Sequence, residues 1–347
     1  MRLLLVHPGA SWSVADVWRG VHDALQQAGA EVIEYNLCGR IEFAGQWLRL
    51  ASKRNPGKPK PTAADTLYLA CQGILERALR LNVDWVLIVS GTYIHPEALS
   101  LLRKAHVKTA CILTETPYAD EQEHFLAGLV DVVFTNERAA VPGFQAINPR
   151  TYYWQHAMDP HRHNEHGDTE EPVAAHDVVF VGTGFEERVA WLRAMDWDGI
   201  DLGLYGGWDI LGSRNPLRRY VRGEIIDNKL TAALYRQARV GINLHRTSVG
   251  FGRGVAHITN AESMNPRCYE LAACGRCFVT DWRAEVDDVF GDLPIVARTP
   301  AEMERLIRHY LAHEDERIRI GEQLPALVAG HTFDARIAQV LKVLEGT

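Results

Sequence analysis

The sequence predicts an α/β protein built as two doubly wound halves, each a parallel sheet covered by helices. Three observations carry this. Through the first half, short apolar runs alternate with helical periods. The run from Asp84 to Ser90 is apolar at nearly every inner position, as in a strand buried on both faces. Residues 155–175 then break the pattern, being rich in His, Asp, Glu and Pro with no apolar period. The alternation restarts at His176 and continues to the C-terminus. A length of 347 residues is natural for two domains.

The elements follow in order. Residues 3–6 form the first strand, and residues 14–28 a helix closed by Gly29. Strands are expected at 31–35, 84–90, 108–113 and 131–135, with helices between and a polar, proline-containing loop at 53–61. In the second half, strands are expected at 176–182, 201–205, 239–244, 277–280 and 293–296. Helices are expected at 186–195, 229–237, 300–313 and 317–328, with a closing helix at 334–344.

Bulk properties exclude several classes. Apolar residues make up 47% and charged residues 23%, ordinary for a globular protein. The formal net charge of −7 provides no global pull toward nucleic acid or an anionic membrane. No apolar run reaches the length of a membrane span. Only four apolar residues separate Arg2 from His7-Pro8, so the start reads as a strand and not a signal peptide. Six cysteines without framework spacing suit a reduced, cytoplasmic protein.

The segment from Glu262 to Asp281 carries the most chemistry. Asn265 suits a helix N-cap, Pro266 the first helical position and Gly275 the residue past the end. A helix of about ten residues therefore precedes a buried strand. Its N-terminus presents N–H groups and a positive dipole end to a phosphate. Glu270, about one turn inside, can accept two hydrogen bonds from a ribose diol. Glu262 precedes it with seven residues between. Diphosphate plus ribose is the anatomy of a nucleotide sugar.

This segment resembles the donor-site motif of GT-B glycosyltransferases, and more closely that of the CgeB-like (spore-maturation) family. Asn265, Arg267, Tyr269, Glu270, Ala273 and Gly275 fit that signature. Further likenesses are residues 177–184 followed by Arg188, Leu204–Gly206, Val240–His245, His331–Phe333 with Arg336, and Trp154–Pro160. The resemblance covers the linker and most of the second half. The first half matches in pattern only.

The resemblance implies the GT-B architecture, two Rossmann-like domains facing across a cleft. Residues 1–157 would form an acceptor-side domain, 158–175 a linker and 176–333 the nucleotide-sugar donor domain. The closing helix, 334–347, would pack back on the first domain. It implies transfer of a hexose from a nucleoside diphosphate, UDP by expectation, with retaining chemistry by analogy alone. Glu270 would hold the ribose and Glu262 the sugar. The helix N-terminus with Arg188 or Arg267 would hold the diphosphate. No cofactor or bound metal is implied, because helix dipole and basic side chains neutralise the leaving group.

Other constellations keep their plainer readings open. Gly182-Thr183-Gly184 follows a strand and opens a helix, which suits either phosphate contact or a tight turn. Asn243 and His245 end a buried strand, where ligands of open sheets bind. Residues 249–254, with three glycines, read as a mobile lid or a plain flexible loop. In the first half, His95, Glu115 and Asp120 lie near strand ends, each a candidate base for an acceptor hydroxyl or a capping group. Cys268, Cys274 and Cys277 offer one C-x2-C without the second pair that zinc needs. His161, His163 and His166 read as a solvated cluster in the linker.

Arg214, Arg218, Arg219 and Arg222, with the Lys53–Lys60 loop, make local basic patches. They keep a DNA-base-modifying glycosyltransferase of the same fold as a rival. A non-catalytic nucleotide-binding module and a nucleotide-sugar epimerase are two others. The acceptor is left open among glycan, small molecule, protein and modified base.

Overall fold

Leu3, Leu4 and Leu5 have no exposed surface, as a strand covered on both faces requires. They lie in β1 (Arg2–His7), which pairs in parallel with β2 (Glu31–Asn36) on one side and β3 (Trp85–Val89) on the other. The computed structural model describes residues 1–9, 14–167, 173–223 and 228–347. The expected linker therefore falls in part, at 168–172, outside the described residues. The chain divides into two compact units, Met1–Gln155 with Arg336–Thr347, and His156–Ala335.

In the first unit, β4 (Lys108–Ile112), β5 (Val132–Thr135) and β6 (Thr151–Tyr153) complete a parallel sheet ordered β2-β1-β3-β4-β5-β6. Its helices are α1 (Ala15–Gln27), α2 (Leu37–Arg54), α3 (Ala63–Arg80), α4 (Pro96–Lys104), α5 (Asp120–Ala127) and α6 (Val141–Ile147). The α2–α3 pair is longer than the sequence reading allowed. Asn36 caps α2, its side chain accepting from the Gly39 amide at 2.9 Å. Thr62 and Asp65 form a reciprocal capping box on α3. Lys53 and Arg54 lie in the last turn of α2, where cations are favoured, so the polar loop is shorter than 53–61.

In the second unit, the strands are β7 (Val178–Val181), β8 (Leu202–Tyr205), β9 (Val221–Gly223), β10 (Val240–Asn243), β11 (Phe278–Asp281) and β12 (Val296–Ala297). They form a second parallel sheet ordered β12-β11-β10-β7-β8-β9. Its helices are α7 (Glu186–Arg193), α8 (Asn228–Gln237), α9 (Pro266–Ala273), α10 (Ala284–Phe290), α11 (Pro300–Ala312) and α12 (Glu314–Val328). The closing helix, α13, runs Phe333–Glu345. The strand expected at 293–296 forms later, as β12. Pro294 has no N–H to give a ladder, and its carbonyl accepts from the Tyr310 hydroxyl instead.

The histidine-rich stretch is not uniformly solvated. His163 is 2% exposed, and burial pushes its ring down to about 3, keeping it neutral. Met158 pairs in parallel with Thr332, joining this stretch to the segment before α13.

Candidate functional site

The second sheet has its switch point between β7 and β10, where successive strands leave in opposite directions. The carboxyl ends of β7 and β10 therefore border a crevice, and α9 begins beside them. Asn265 holds the N-cap position in extended backbone, and Pro266 is the first helical residue. The Asn265 side chain makes no capping bond. Both its amide atoms are buried without a hydrogen-bond partner among the described residues.

Arg267 bridges the switch point. Its Nε donates to the Val181 carbonyl, and Nη1 donates to Asn243 Oδ1 at 2.9 Å. The guanidinium lies 4.7 Å from the centre of the Phe180 ring. Gly182 permits this approach, since a Cβ there would stand 2.2 Å from Arg267 Nη2. Arg267 nevertheless keeps part of its surface exposed.

Asn243 and His245 lie beneath this arginine. Asn243 is fully buried, and its Nδ2 donates to Thr280 Oγ1 at 2.9 Å and to Cys268 Sγ at 3.0 Å. His245 donates from Nδ1 and from its backbone amide to Asp281 Oδ1, at 2.7 and 2.9 Å. Burial depresses the His245 ring below the usual histidine range, against the pull of the Asp281 carboxylate. Burial alone would raise the Asp281 carboxyl. The neighbouring His245 and its hydrogen bonds outweigh that and hold it low. Both side chains are buried, and Asn243 is bonded directly to Arg267.

The strand of chain entering α9 is fixed from behind. Arg283 donates to the Ala261 carbonyl at 2.6 Å and to the Arg246 carbonyl at 2.8 Å. Glu285 Oε2 accepts from the Met264 amide at 2.6 Å, and the Glu285 amide donates to the Glu262 carbonyl at 3.0 Å. Glu262 thus has a set position with its side chain half-buried. Glu270 is also half-buried, one turn along from Arg267 and near Tyr235 of α8. Burial, reinforced by the Glu270 carboxylate, raises the Tyr235 hydroxyl well above its ordinary range.

Four expected donor contacts, Gly182, Thr183, Gly184 and Arg188, have partners within the chain. The Gly182 and Gly184 amides donate to the carbonyls of Tyr205 and Gly207, each at 2.8 Å. Those two N–H groups are therefore already engaged by backbone acceptors. Thr183 is drawn into the same packing, its carbonyl accepting from Arg188 Nη1 at 2.9 Å. Gly184 is required because a Cβ would stand 2.4 Å from the Trp208 ring. Arg188 is 5% exposed, and its Nε donates to the Leu244 carbonyl at 3.0 Å. It pins α7 to the end of β10.

The glycine-rich stretch 249–254 is bonded on both sides. The Val249 amide donates to the Ala256 carbonyl, and Ile258 to Thr247, each at 2.8 Å. Glu187 accepts from the Thr247 amide at 2.7 Å, and Glu186 from the Gly254 amide at 2.7 Å. Burial would raise the Glu187 carboxyl, but hydrogen bonds from Ser248 and Thr247 hold it below its ordinary value.

In the first unit, Glu115 and Asp120 come together and His95 stays apart. His95 caps α4, its Nδ1 accepting from the Glu97 amide at 3.2 Å, while its ring meets Tyr68 edge-on at 5.2 Å. With Nδ1 engaged as a cap, His95 is less well placed as a base than Glu115 and Asp120. Glu115 and Asp120 flank Glu123, which the sequence reading missed. Glu123 is 4% exposed and accepts from the Glu115 amide at 3.0 Å. It also pairs with Thr116 Oγ1 at 2.5 Å. Burial raises its carboxyl to about 8. Burial raises Asp120 as well, and Asp120 Oδ1 has no hydrogen-bond partner among the described residues.

A raised acid has a stability signature. Glu123 is protonated in the folded chain up to about pH 8, whereas an exposed glutamate ionises near its ordinary 4.5. Its contribution is complete below the lower value and is lost as pH rises between the two, at about 1.4 kcal/mol per pH unit. Glu123→Gln keeps an acceptor for the Glu115 amide, replaces the oxygen that accepts from Thr116 Oγ1 by an amide N–H that the hydroxyl can accept, and cannot ionise. Denaturant midpoints should therefore show the variant gaining on the wild type as pH rises from about 5 to about 8. Parallel curves would mean that Glu123 is already ionised.

The comparisons with known proteins fit this anatomy. Residues 188–342 match the family model described as glycosyl transferase-like, a stretch that includes Asn243, Glu262, Arg267 and Glu270. A search of curated protein sequences finds no match. Solved structures match along the whole chain. A sucrose-phosphate synthase from Thermosynechococcus elongatus has a TM-score of 0.65 at 14% identity, over 100% of this chain and 98% of its own. A structure described as trehalose-6-phosphate from E. coli bound with UDP-2-fluoro glucose has a TM-score of 0.63 at 12% identity, over 100% and 99%. A glycosyltransferase from Rickettsia africae has 0.60 at 14% identity, over 99% and 98%. The fold is that of the GT-B glycosyltransferases, and the matched family model is a glycosyltransferase one.

Proposed function

We propose that the chain transfers a hexose from a nucleoside diphosphate, UDP in our reading, to a hydroxyl acceptor, with no resident metal. The observation that carries this is the meeting of three groups at the β7/β10 switch point. They are the N-terminal turn of α9 with the unpartnered Asn265 amide, the part-exposed Arg267 guanidinium, and Glu270 one turn along. The helix end and Arg267 meet the diphosphate charge, which strengthens as the leaving group departs. Glu270 accepts from the ribose hydroxyls, and Glu262 faces the sugar. The UDP-2-fluoro glucose of one structural neighbour supports this donor class. The CgeB-like signature from Asn265 to Gly275 supports that branch of the fold. In the first unit, Asp120 is the better base of the remaining pair, because burial moves its carboxyl toward working pH and one oxygen is unengaged.

UDP at 100 times its dissociation constant should stabilise the protein by about 2.7 kcal/mol, read as a thermal shift. EDTA should leave that shift intact. Recovery of binding only on adding a divalent cation would sink the metal-free reading. Conversion of a UDP-sugar to its epimer without acceptor would replace transfer by epimerisation.

A further inference from the structure

We propose that the outer face of α2 binds the surface of an anionic lipid bilayer. This inference is independent of the donor-site reading. The inner stripe of α2 is ordinary: Leu37 and Ala44 are buried, and Ile41 packs on the first unit's core. The outer line is not. Phe43, Trp47 and Leu50 recur at helical spacing and are 63%, 57% and 53% exposed. Arg40 and Arg54 continue the same line at its two ends. A row of three large apolar side chains left in water marks an interaction surface.

Charge selects the partner. Residues 37–62 carry six basic side chains, Arg40, Arg49, Lys53, Arg54, Lys58 and Lys60, against one acidic, Glu42. This is a local net charge of +5 in a chain of net −7. None of the six has a carboxylate partner among the described residues. Aromatic and leucine side chains flanked by Lys and Arg are the make-up of a helix that lies in the headgroup plane. Among the described residues, no helix is long and apolar enough to cross a membrane, so α2 would lie flat. Anionic headgroups attract each basic side chain within a Debye length, about 8 Å at physiological salt. The acidic remainder of the chain is repelled by the same surface, which selects the α2 face for contact.

Other occupants fit less well. A second copy docked face to face would set +5 against +5. A protein partner needs a shape-matched patch of roughly 800 Å² per side. A convex row of three side chains suits a yielding lipid surface instead.

The test is flotation of the full chain with vesicles of phosphatidylcholine alone or mixed with phosphatidylglycerol. Binding should favour the mixed vesicles at least about tenfold and weaken with salt. The double variant Phe43→Ser/Trp47→Ser should lose at least about tenfold in partitioning, and so should Lys53→Glu/Arg54→Glu. Both variants should melt as the wild type does, since the changed side chains are exposed. Brominated lipid should quench wild-type fluorescence more than that of Trp47→Phe. No flotation, or variants that float like the wild type, would overturn the proposal. So would loss of self-association in the apolar variant without any vesicle binding.

Discussion

Replacing Glu270 by Gln should lower donor affinity at least about tenfold and leave the fold intact. Glu270 sits half-buried on α9, one turn from Arg267. If its carboxylate accepts both ribose hydroxyls, the amide loses the charge-assisted part of two hydrogen bonds. Such bonds contribute about 1.5–3 kcal/mol each, and about 1.4 kcal/mol is a factor of ten. Calorimetry with UDP on both proteins measures the loss. A 2′,3′-dideoxy nucleotide should bind the wild type poorly, and the variant should barely distinguish it from UDP. The variant should keep its melting temperature, because the side chain is not packed in the core. Full donor affinity in the variant, or an unfolded variant, would make Glu270 structural and remove the donor-site assignment.

Replacing Asp281 by Ala should cost about 2–6 kcal/mol, since two donors of His245 lose one acceptor and an orphaned buried donor costs about 1–3 kcal/mol. Asp281→Asn keeps Oδ1 and should cost less than half of that. The Ala variant should also weaken UDP binding, because His245, Asn243 and Arg267 form one connected group at the switch point. Chemical denaturation of the two variants side by side decides it. If Asp281→Ala unfolds at the wild-type denaturant concentration, the His245–Asp281 pair is not part of the frame that holds the site.

The readable parts of the site were those encoded within one or two turns of chain. Asn265, Pro266 and Gly275 mark the limits of α9 by backbone chemistry alone, and the helix runs Pro266–Ala273. The N-cap reading held for position and not for chemistry, since the Asn265 side chain makes no capping bond. His95 behaved in the opposite way. Its residue type left both a base and a capping group open, and its place before Pro96 is a capping position. Which role a histidine takes depends on what its ring nitrogens meet, and here Nδ1 meets the Glu97 amide.

Long-range partners had no local signal. Glu123 lies in the first turn of α5, and its burial and raised acidity arise from Thr116 and Glu115, brought in by the loop after β4. Phe43, Trp47 and Leu50 have the spacing of a core face, and only packing shows that another stripe of α2 took the core.

The sequence by itself determined where most of the strands and helices lie, because apolar period and helix caps act over a few residues. It also determined the two-part α/β organisation, because buried parallel strands need near-continuous apolar runs. Only the tertiary structure decided which polar groups are engaged and which stay available. Arg188 and Arg267 look equivalent as sequence, each in the first turn of a helix after a strand or a loop. Sheet order brings the Leu244 carbonyl, 56 residues away, onto Arg188 and buries it, while Arg267 keeps part of its surface exposed at the switch point. Sheet order makes that choice, because it joins residues that no local pattern connects.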